Sequence, residues 1–246
     1  MTLLDKVALV TGGAKRLGRE ICLALAREGC DIVIHYRSSR DEADALAREI
    51  KALGRQVWCV CGDFSNAYEP AVTMKTAWDL AGWVDILVNN ASAYAHDSTE
   101  DISIERMEEL WRVNSLAPML LAREMQRLAS ESRILPADYC GRVVNLLDRT
   151  VAKPAAEYAP YWTTKKALQA FTQSFALEAA PRFTVNAVAP GPVIPPDGDG
   201  LEEPAGPTPL AIRSTPGDVA DAVAYLARAV TVTGQVLYVD GGQHLL

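Results

Sequence analysis

A tyrosine and a lysine four residues apart are the side chains in this sequence best suited to acid–base chemistry. Tyr161 and Lys165 stand at i and i+4 in a segment with helical periodicity, which places their Cβ atoms about 5–6 Å apart on one helix face. A lysine cation beside a phenol favours the phenolate and lowers the pKa of the tyrosine. The spacing predicts Tyr161 as a general acid, although structural pairs on helix surfaces share it. Tyr158 has Trp162 at i+4 and lacks such a partner.

A glycine-rich segment near the N-terminus has the composition of a phosphate-binding turn. Residues 11–18 read TGGAKRLG and lie between a short apolar run and a helical pattern. Glycines at a strand-to-helix turn let the backbone approach a pyrophosphate, whose charge is stabilised by the helix N-terminus. The position of the segment predicts a dinucleotide site. Turns of the same composition also occur without any ligand.

The end of the second apolar run indicates which dinucleotide to expect. Folds that bind NAD carry a carboxylate about 20 residues after the glycines, where it accepts hydrogen bonds from the ribose 2′-hydroxyl. In this chain the corresponding positions are His35, Tyr36, Arg37 and Ser38, and further basic residues lie nearby, namely Lys15, Arg16, Arg19 and Arg40. A positive cluster suits a 2′-phosphate. NADP(H) is therefore expected rather than NAD(H); the alternative is a set of solvated surface charges.

Short β-branched runs alternate with longer helical patterns along the chain, as in βαβ units around a parallel sheet. Strands are predicted at Val7–Thr11, Asp31–Tyr36, Gln56–Cys61, Val84–Asn89, Arg142–Leu147, Thr184–Ala189 and Gln235–Val239. Helices are predicted at 16–28, 40–53, 69–81, 103–130, 160–179 and 216–228. Most strands are continuously apolar, as strands covered on both faces should be. The fold class is α/β: a single doubly wound, Rossmann-type domain over residues 1–246, with a parallel seven-stranded sheet and helices on both faces.

Asn114 is the polar member of an otherwise apolar helical stripe. The stripe comprises Ile104, Met107, Trp111, Asn114, Pro118, Leu121 and Met125, and this spacing predicts that it faces the core. A buried amide needs a partner, and Pro118 has no N–H to donate to the Asn114 carbonyl. Asn114 is thus either a site residue or a structural asparagine beside a proline kink.

Asp63 is a further candidate for the cofactor site. It follows the third strand, where it is expected to accept a hydrogen bond from the adenine amino group or to cap the next turn.

A long loop is predicted before the last helix. Residues 190–214 are rich in proline, glycine and acids without periodicity. A loop of this length in a compact domain is usually functional, so a mobile substrate loop is predicted. The next helix has Thr215 as its cap, Pro216 at its first position and Asp218 in its first turn.

Composition excludes several classes of protein. The chain has 246 residues and a formal net charge of −7, which argues against a nucleic-acid or anionic-membrane binder. No apolar run approaches the ~18 residues of a membrane span, and no secretory leader is recognised. The five cysteines include no CxxC spacing, so no metal site is predicted. We expect a cytoplasmic protein whose partner is a small molecule.

At this point the chain resembles the short-chain dehydrogenase/reductase family over essentially its whole length. The resemblance is carried by residues 11–18, Asn89-Asn90-Ala91-Ser92, Asn114, the Tyr161/Lys165 pair, Pro190-Gly191 and Val239-Asp240-Gly241-Gly242. It implies that Tyr161 protonates the substrate, that Lys165 binds the nicotinamide ribose and tunes Tyr161, and that Asn114 holds a proton-relay water. The cofactor-binding residues it implies, together with the patterns above, are Gly12, Lys15, Arg16, Leu17, Gly18, His35, Tyr36, Arg37, Ser38, Asp63, Phe64, Asn90, Ala91, Ser92, Tyr161, Lys165, Pro190 and Gly191. It also implies a homotetramer built on the C-terminal strand and the long helices.

Three departures from the family pattern point to one branch. Arg16 and Ser92 stand where most members have glycine, and Asp148 stands thirteen residues before Tyr161, where they have serine. These positions look like the pteridine reductase branch, which includes dihydromonapterin reductases. The resemblance implies that Arg16, Ser92, Asp148 and Tyr161 contact a pterin and that Tyr94 stacks on its ring, although an ordinary loop tyrosine would read the same.

The aspartate agrees with this chemistry. A carboxylate beside a developing alkoxide repels it, whereas a carboxylic acid kept neutral by an apolar pocket can protonate the nitrogen of a C=N bond. Asp148 is therefore predicted to be catalytic; the alternative is a turn aspartate bound to nearby backbone. The chain is expected to be an NADPH-dependent reductase of a dihydropterin, with dihydrofolate as a further candidate substrate. The rivals are a carbonyl or 3-oxoacyl reductase of the same family and a non-catalytic NADP(H)-binding sensor.

Overall fold

Seven parallel strands form one sheet in the computed structural model, which describes residues 2–94, 97–154, 158–193 and 207–246. The sheet order is β3-β2-β1-β4-β5-β6-β7. The strands are β1 (Val7–Val10), β2 (Asp31–Tyr36), β3 (Val57–Cys61), β4 (Ile86–Asn89), β5 (Gly141–Leu146), β6 (Phe183–Pro190) and β7 (Val236–Val239). The predicted α/β, doubly wound fold is confirmed.

Helices connect the strands. They are α1 (Arg16–Arg27), α2 (Arg40–Ala52), α3 (Glu69–Ala81), α4 (Ile104–Trp111), α5 (Ala117–Glu131), α6 (Ala159–Glu178) and α7 (Pro216–Arg228). Two short 3₁₀ helices, Arg149–Ala152 and Gln243–Leu245, were not predicted. Every predicted strand is present with small differences at the ends, and so is every predicted helix except the one at 103–130, which is divided in two. Among the described residues, no helix is long and apolar enough to cross a membrane.

Both faces of the sheet are covered by apolar side chains. On one face, Ile21 of α1, Leu46 of α2 and Val223 of α7 pack against the strands. On the other face, the sheet packs against α3, α5 and α6, with Leu121 and Phe175 among the buried residues. Each fully buried aliphatic or aromatic side chain contributes roughly 1.5–3 kcal/mol. This burial on two faces explains why the strands are continuously apolar rather than alternating.

The strand order reverses between β1 and β4. The connection after β1 leads to β2 on one side of this pair, and the connection after β4 leads to β5 on the other side. In open parallel sheets, ligands bind outside the carboxyl ends of the strands at such a switch point. Segments that follow β1 to β6 carry most of the predicted site residues. The topology therefore brings residues far apart in sequence to one edge of the sheet.

The predicted long helix at 103–130 is interrupted. A π-helical turn, Arg112–Leu116, separates α4 from α5 and contains Asn114. A π turn inserts a residue relative to the α-helical repeat, so the faces before and after it are rotated. The prediction of one continuous buried stripe is therefore wrong in its first half. The members on the α5 side are buried, while Ile104, Met107 and Trp111 are 74%, 43% and 45% exposed.

The start of α7 is confirmed in detail. The Thr215 hydroxyl accepts from Asp218 N at 3.2 Å, and an Asp218 carboxylate oxygen accepts from Thr215 N at 2.7 Å. This reciprocal capping box satisfies two backbone donors of the first turn. Of the loop predicted at 190–214, residues 194–206 lie outside the described residues, so the prediction of a mobile substrate loop stays a prediction.

Candidate active site

The glycine-rich segment closes tightly around the N-terminus of α1. Gly12 has φ +59°, and its N–H donates to Nδ1 of His35 at 3.1 Å. A Cβ on Gly18 would lie 2.1 Å from the Gly12 carbonyl oxygen, so only glycine fits there. The Asn90 amide donates to the carbonyls of Thr11 (2.9 Å) and Gly12 (3.1 Å). The turn is thus fixed by the neighbouring strands at the N-terminus of α1, where backbone N–H groups can bind a phosphate.

A cleft of about 230 Å³ opens beside this turn, and we name it the glycine-loop cleft. It brings together ten of the predicted cofactor residues: Gly12, Lys15, His35, Tyr36, Arg37, Ser38, Asp63, Phe64, Ala91 and Ser92. Ala14, Ser39, Gly62 and Val113 complete the lining and were not predicted. Only their position in the sequence could have identified them, since each follows a strand or adjoins a predicted residue.

His35 does not supply the positive charge that the sequence predicts. Its Nδ1 accepts from Gly12 N, so its Nε2 carries the hydrogen and donates to the Gly62 carbonyl at 3.1 Å. Burial lowers its pKa to about 4, and its ring stacks on Phe64 with centroids 4.2 Å apart. His35 is therefore neutral at physiological pH and joins the glycine turn to the end of β3.

The remaining basic residues differ in whether they can reach a phosphate bound in the cleft. Arg19 is bound by Glu49 at 2.7 Å and Arg40 lies 3.8 Å from Asp44, and neither lines the cleft. Lys15 and Arg37 do line it. Lys15 pairs with Glu42 at 2.6 Å, whereas the Arg37 side chain is 61% exposed, with Glu109 only at 3.8 Å. The predicted positive cluster is therefore reduced to Arg37 and Lys15.

Asp63 caps the turn after β3 while lining the glycine-loop cleft. Its Oδ1 accepts from Ser65 N at 3.0 Å, and this hydrogen bond holds the pKa of the carboxyl below its ordinary value. The capping alternative is thus realised. The Ser65 side chain also hydrogen-bonds this carboxyl, and the contact with an adenine amino group stays a prediction.

Asp148 and Tyr161 meet at the carboxyl end of β5. The Tyr161 hydroxyl lies 3.4 Å from Oδ2 of Asp148, and Oδ1 accepts from Thr150 N (2.8 Å) and Thr150 Oγ1 (2.7 Å). The predicted apolar pocket around this carboxyl is wrong, because Asp148 is half-buried and two hydrogen bonds from Thr150 reach it. Asp148 also caps the 3₁₀ helix that begins at Arg149. With Oδ1 occupied by Thr150, Oδ2 is the carboxyl oxygen that faces Tyr161.

The lysine does not lower the tyrosine pKa as predicted. Burial raises the pKa of Tyr161 well above its ordinary value, and the negative charge of Asp148 raises it further. Lys165 Nζ lies 5.8 Å from the centre of the Tyr161 ring and donates to the Leu146 carbonyl at 3.0 Å. Burial also lowers the pKa of Lys165 to about 8. Tyr161 is therefore a phenol at neutral pH, the form that a proton donor requires.

Asn114 holds the loop after β4 against α6. Its Oδ1 accepts from Ser92 Oγ (3.0 Å) and Ala93 N (2.8 Å), and its Nδ2 donates to the Ala93 carbonyl (2.8 Å) and Thr164 Oγ1 (3.2 Å). The side chain is fully buried, and all four hydrogen bonds of the amide are made. The amide therefore orients Ser92, whose hydrogen bond to Tyr161 acts to lower the tyrosine pKa.

A second cleft, of about 600 Å³, extends from Asp148 toward the loop after β6, and we name it the Asp148 cleft. Its lining contains the predicted residues Arg16, Leu17, Ser92, Tyr94, Asp148, Pro190 and Gly191. The Tyr94 ring meets the Tyr161 ring edge-on, with centroids 5.0 Å apart. Sequence reasoning missed further lining residues, namely Leu147, Arg149, Thr150, Tyr158, Pro192 and Val193. Arg149 could have been predicted as a lining residue because it directly follows Asp148 in the sequence.

Arg16 stands at the start of α1 with φ 53°, in the left-handed region. That conformation costs a non-glycine residue on the order of 1 kcal/mol, which explains why glycine is the usual residue there. The strained backbone places an arginine on the wall of the Asp148 cleft.

A comparison with protein families matches residues 6–200 to the short chain dehydrogenase model. The chain belongs to the short-chain dehydrogenase family. Solved structures agree: FolM alternative dihydrofolate reductase 1 from Brucella canis, complexed with NADP, superposes with a TM-score of 0.90 at 33% identity, covering 100% of this chain and 97% of that one. A short chain dehydrogenase from Burkholderia cenocepacia in complex with NADP gives 0.88 at 29% identity, covering 98% and 99%.

Relatives of this short-chain dehydrogenase differ in substrate. The 3-oxoacyl-[acyl-carrier-protein] reductase FabG of Staphylococcus aureus is 32% identical over 251 residues, covering 98% of this chain and 99% of the relative. Similarity to a dihydrofolate reductase and to an oxoacyl reductase is thus nearly equal. The family and its oxidoreductase chemistry follow from the comparisons, and the substrate must be argued from the site.

Proposed function

We propose that this short-chain dehydrogenase is an NADPH-dependent reductase that reduces a C=N bond of a dihydropterin. The observation that carries the proposal is the position of Asp148, with Oδ2 3.4 Å from the Tyr161 hydroxyl on the wall of the Asp148 cleft. Two acidic groups side by side suit protonation of a nitrogen better than stabilisation of an oxyanion. The similarity to a FolM dihydrofolate reductase supports the same choice.

The glycine-loop cleft fits NADP(H). The sharp turn at the α1 N-terminus, with Gly12 at φ +59° and no room for a Cβ on Gly18, is of the kind that holds a pyrophosphate against backbone N–H groups. Arg37 and Ser38 line the cleft at the end of β2, and a guanidinium there would bind a 2′-phosphate. Lys165 would contact the nicotinamide ribose. When bound, the cofactor supplies the hydride for the reduction.

The proton is supplied by the chain's own residues. Asp148 and Tyr161 together pass the proton to the substrate nitrogen: Oδ2 of Asp148 relays the phenol proton across the 3.4 Å between the two groups, directly or through a water, and solvent then returns a proton to the pair. Asn114 fixes Ser92 and, through it, the hydrogen bonding of Tyr161. Arg16 and Tyr94 form walls of the cleft in which the ring would lie.

The main rival is a carbonyl or 3-oxoacyl reductase, favoured by the similarity to FabG. In that reaction an alkoxide develops beside the tyrosine, and the Asp148 carboxylate would repel it. A non-catalytic NADP(H) sensor is the other rival. It would have no use for the contact between Asp148 and Tyr161.

NADPH oxidation by a substrate panel tests the proposal. The panel comprises dihydrobiopterin, dihydromonapterin, dihydrofolate, an activated ketone and a 3-oxoacyl thioester. We expect a dihydropterin to have the highest kcat/KM. A higher kcat/KM for the ketone or the thioester would contradict the proposal, and no turnover with any of the five would favour the sensor.

We also propose a homotetramer, supported by two exposed apolar surfaces. One is the α4 face formed by Ile104, Met107 and Trp111; the other adjoins the edge strand β7, where Leu237 and Leu245 are 37% and 71% exposed. Apolar surfaces of this kind mark protein interfaces. Light scattering coupled to size-exclusion chromatography tests the assembly, and a monomer at micromolar concentration would contradict it.

A further inference from the structure

Arg149 lies on the wall of the Asp148 cleft without a role in the proton transfer described above. It is the first residue of the 3₁₀ helix Arg149–Ala152, directly after Asp148, and it is half-buried. Arg149 lines the same cleft as Tyr94 and Asp148. An arginine in this position presents five N–H donors that remain charged at any physiological pH.

Within the described parts of the chain, the Arg149 guanidinium has no hydrogen-bond or ion-pair partner. The carboxylate next to it in sequence, Asp148, is engaged by Thr150 on Oδ1 and faces Tyr161 with Oδ2. By contrast, Arg213, the arginine near the far wall of the cleft, donates to the Pro192 carbonyl at 2.6 Å. A half-buried guanidinium is partly desolvated, so an unmatched one binds an anion more favourably than a fully solvated one.

No charge in the described part of the lining neutralises Arg149. The carboxylate there, that of Asp148, is engaged by Thr150 and faces Tyr161. The cleft volume of about 600 Å³ is in the range that encloses a whole drug-sized ligand. There is therefore room for a substituent in addition to the ring that reacts next to Tyr161.

We propose that Arg149 is a specificity-determining residue that binds an oxyanion on the side chain of the substrate. The preferred dihydropterins are then those with a carboxylate or phosphate on the side chain, rather than uncharged ones. This inference rests on the proposed function for the identity of the ring. The anion site itself follows from the guanidinium and the cleft.

The test compares three substrates in the parent, in Arg149→Gln and in Arg149→Lys. Dihydrobiopterin has an uncharged side chain, dihydrofolate carries carboxylates, and dihydroneopterin monophosphate carries a phosphate. In Arg149→Gln we expect KM for one or both anionic substrates to rise about tenfold to a hundredfold, with kcat changed by less than about twofold and dihydrobiopterin unaffected. Arg149→Lys should keep part of the preference. Which anion is affected identifies the oxyanion.

A matched control removes the same charge elsewhere. Arg48 is exposed on α2, away from both clefts, and Arg48→Gln should leave all three KM values unchanged. Equal increases in KM for charged and uncharged substrates in Arg149→Gln would overturn the inference. Weaker NADPH binding in that variant would also overturn it, because Arg149 would then serve the cofactor.

Calorimetric titration separates this inference from the proposed function. Folate and p-aminobenzoylglutamate, a fragment without a pterin ring, are titrated into the parent and Arg149→Gln, each saturated with NADP⁺. Binding that is lost in Arg149→Gln supports the anion site even if no dihydropterin is reduced. A parent that binds neither compound, or a variant that binds both as tightly as the parent, would overturn it.

Discussion

The hydroxyl of Tyr161 lies 3.4 Å from Oδ2 of Asp148, although the two residues come from different elements, one on α6 and one after β5. This contact combines a buried phenol with a carboxyl group whose other oxygen is already occupied by Thr150. The functional proposal depends on it, and the first two predictions test it.

Replacing Tyr161 with phenylalanine removes a proton donor and keeps the ring. We expect turnover to fall by at least ~100-fold, with little change in NADPH affinity measured by fluorescence titration. Tyr225→Phe, at an exposed tyrosine of α7, is the matched control. Turnover near that of the parent in Tyr161→Phe would show that another group is the acid.

Substitutions of Asp148 separate C=N from C=O chemistry. Asp148→Asn can still accept the hydrogen bonds from Thr150, but it has no acidic proton, so dihydropterin reduction should fall by ~10² or more. Asp148→Ser should also reduce dihydropterins slowly, while reduction of an activated ketone holds or rises because no carboxylate faces the alkoxide. Steady-state kinetics on both substrates checks this. An Asp148→Ser enzyme as active on dihydropterins as the parent would refute it.

Arg37 and Ser38 should determine cofactor preference. Their replacement by Asp and Ala puts a carboxylate where a 2′-phosphate is expected, so the preference for NADPH over NADH, about tenfold to a hundredfold, should disappear. The ratio of kcat/KM values for the two cofactors is the measurement. Arg40→Ala is the control, because Arg40 lies outside the lining of the glycine-loop cleft. Equal use of both cofactors by the parent would contradict the assignment.

Arg16→Gly should raise the stability of the protein and weaken substrate binding. Glycine adopts the left-handed conformation of residue 16 (φ 53°) without the steric cost that arginine bears, so the free energy of unfolding should rise by about 0.5–1 kcal/mol. Substrate affinity should weaken, since a wall of the Asp148 cleft loses its guanidinium. Denaturant unfolding measures the first effect. Lys15→Gly, at the preceding residue with φ −135°, should not raise the free energy of unfolding.

The buried lysine predicts a pH dependence of stability. The pKa of Lys165 is lowered to about 8 from an ordinary 10.5 by burial, so between these values the unfolded chain binds more protons than the folded one. Stability should therefore rise as pH increases through this window, and the cost of burying the charge is fully present below it. Relative to Lys165→Met, the parent should gain on the order of 2 kcal/mol between about pH 8 and about pH 10. Denaturant unfolding of both proteins at several pH values provides the comparison, and parallel curves would contradict the prediction.

Much of the fold and several parts of the site are encoded locally in the sequence. The alternation of apolar runs and helical patterns gave all seven strands, because burial on both faces of a sheet demands continuous apolar residues. The glycines of residues 11–18, the Thr215 cap and the spacing of Tyr161 and Lys165 are also local, since each depends on dihedral angles or hydrogen bonds within a few residues.

Tertiary structure decided the partners of these residues and, with them, their charge. His35 is basic in sequence but neutral in the fold, because Gly12 and Gly62 bind its two nitrogens and burial lowers its pKa. Tyr161 has a raised pKa because burial and Asp148 outweigh the hydrogen bond with Ser92, which acts to lower it. Protonation depends on desolvation and on charges brought together from distant segments. No spacing along the chain contains that information, whereas the packed structure does.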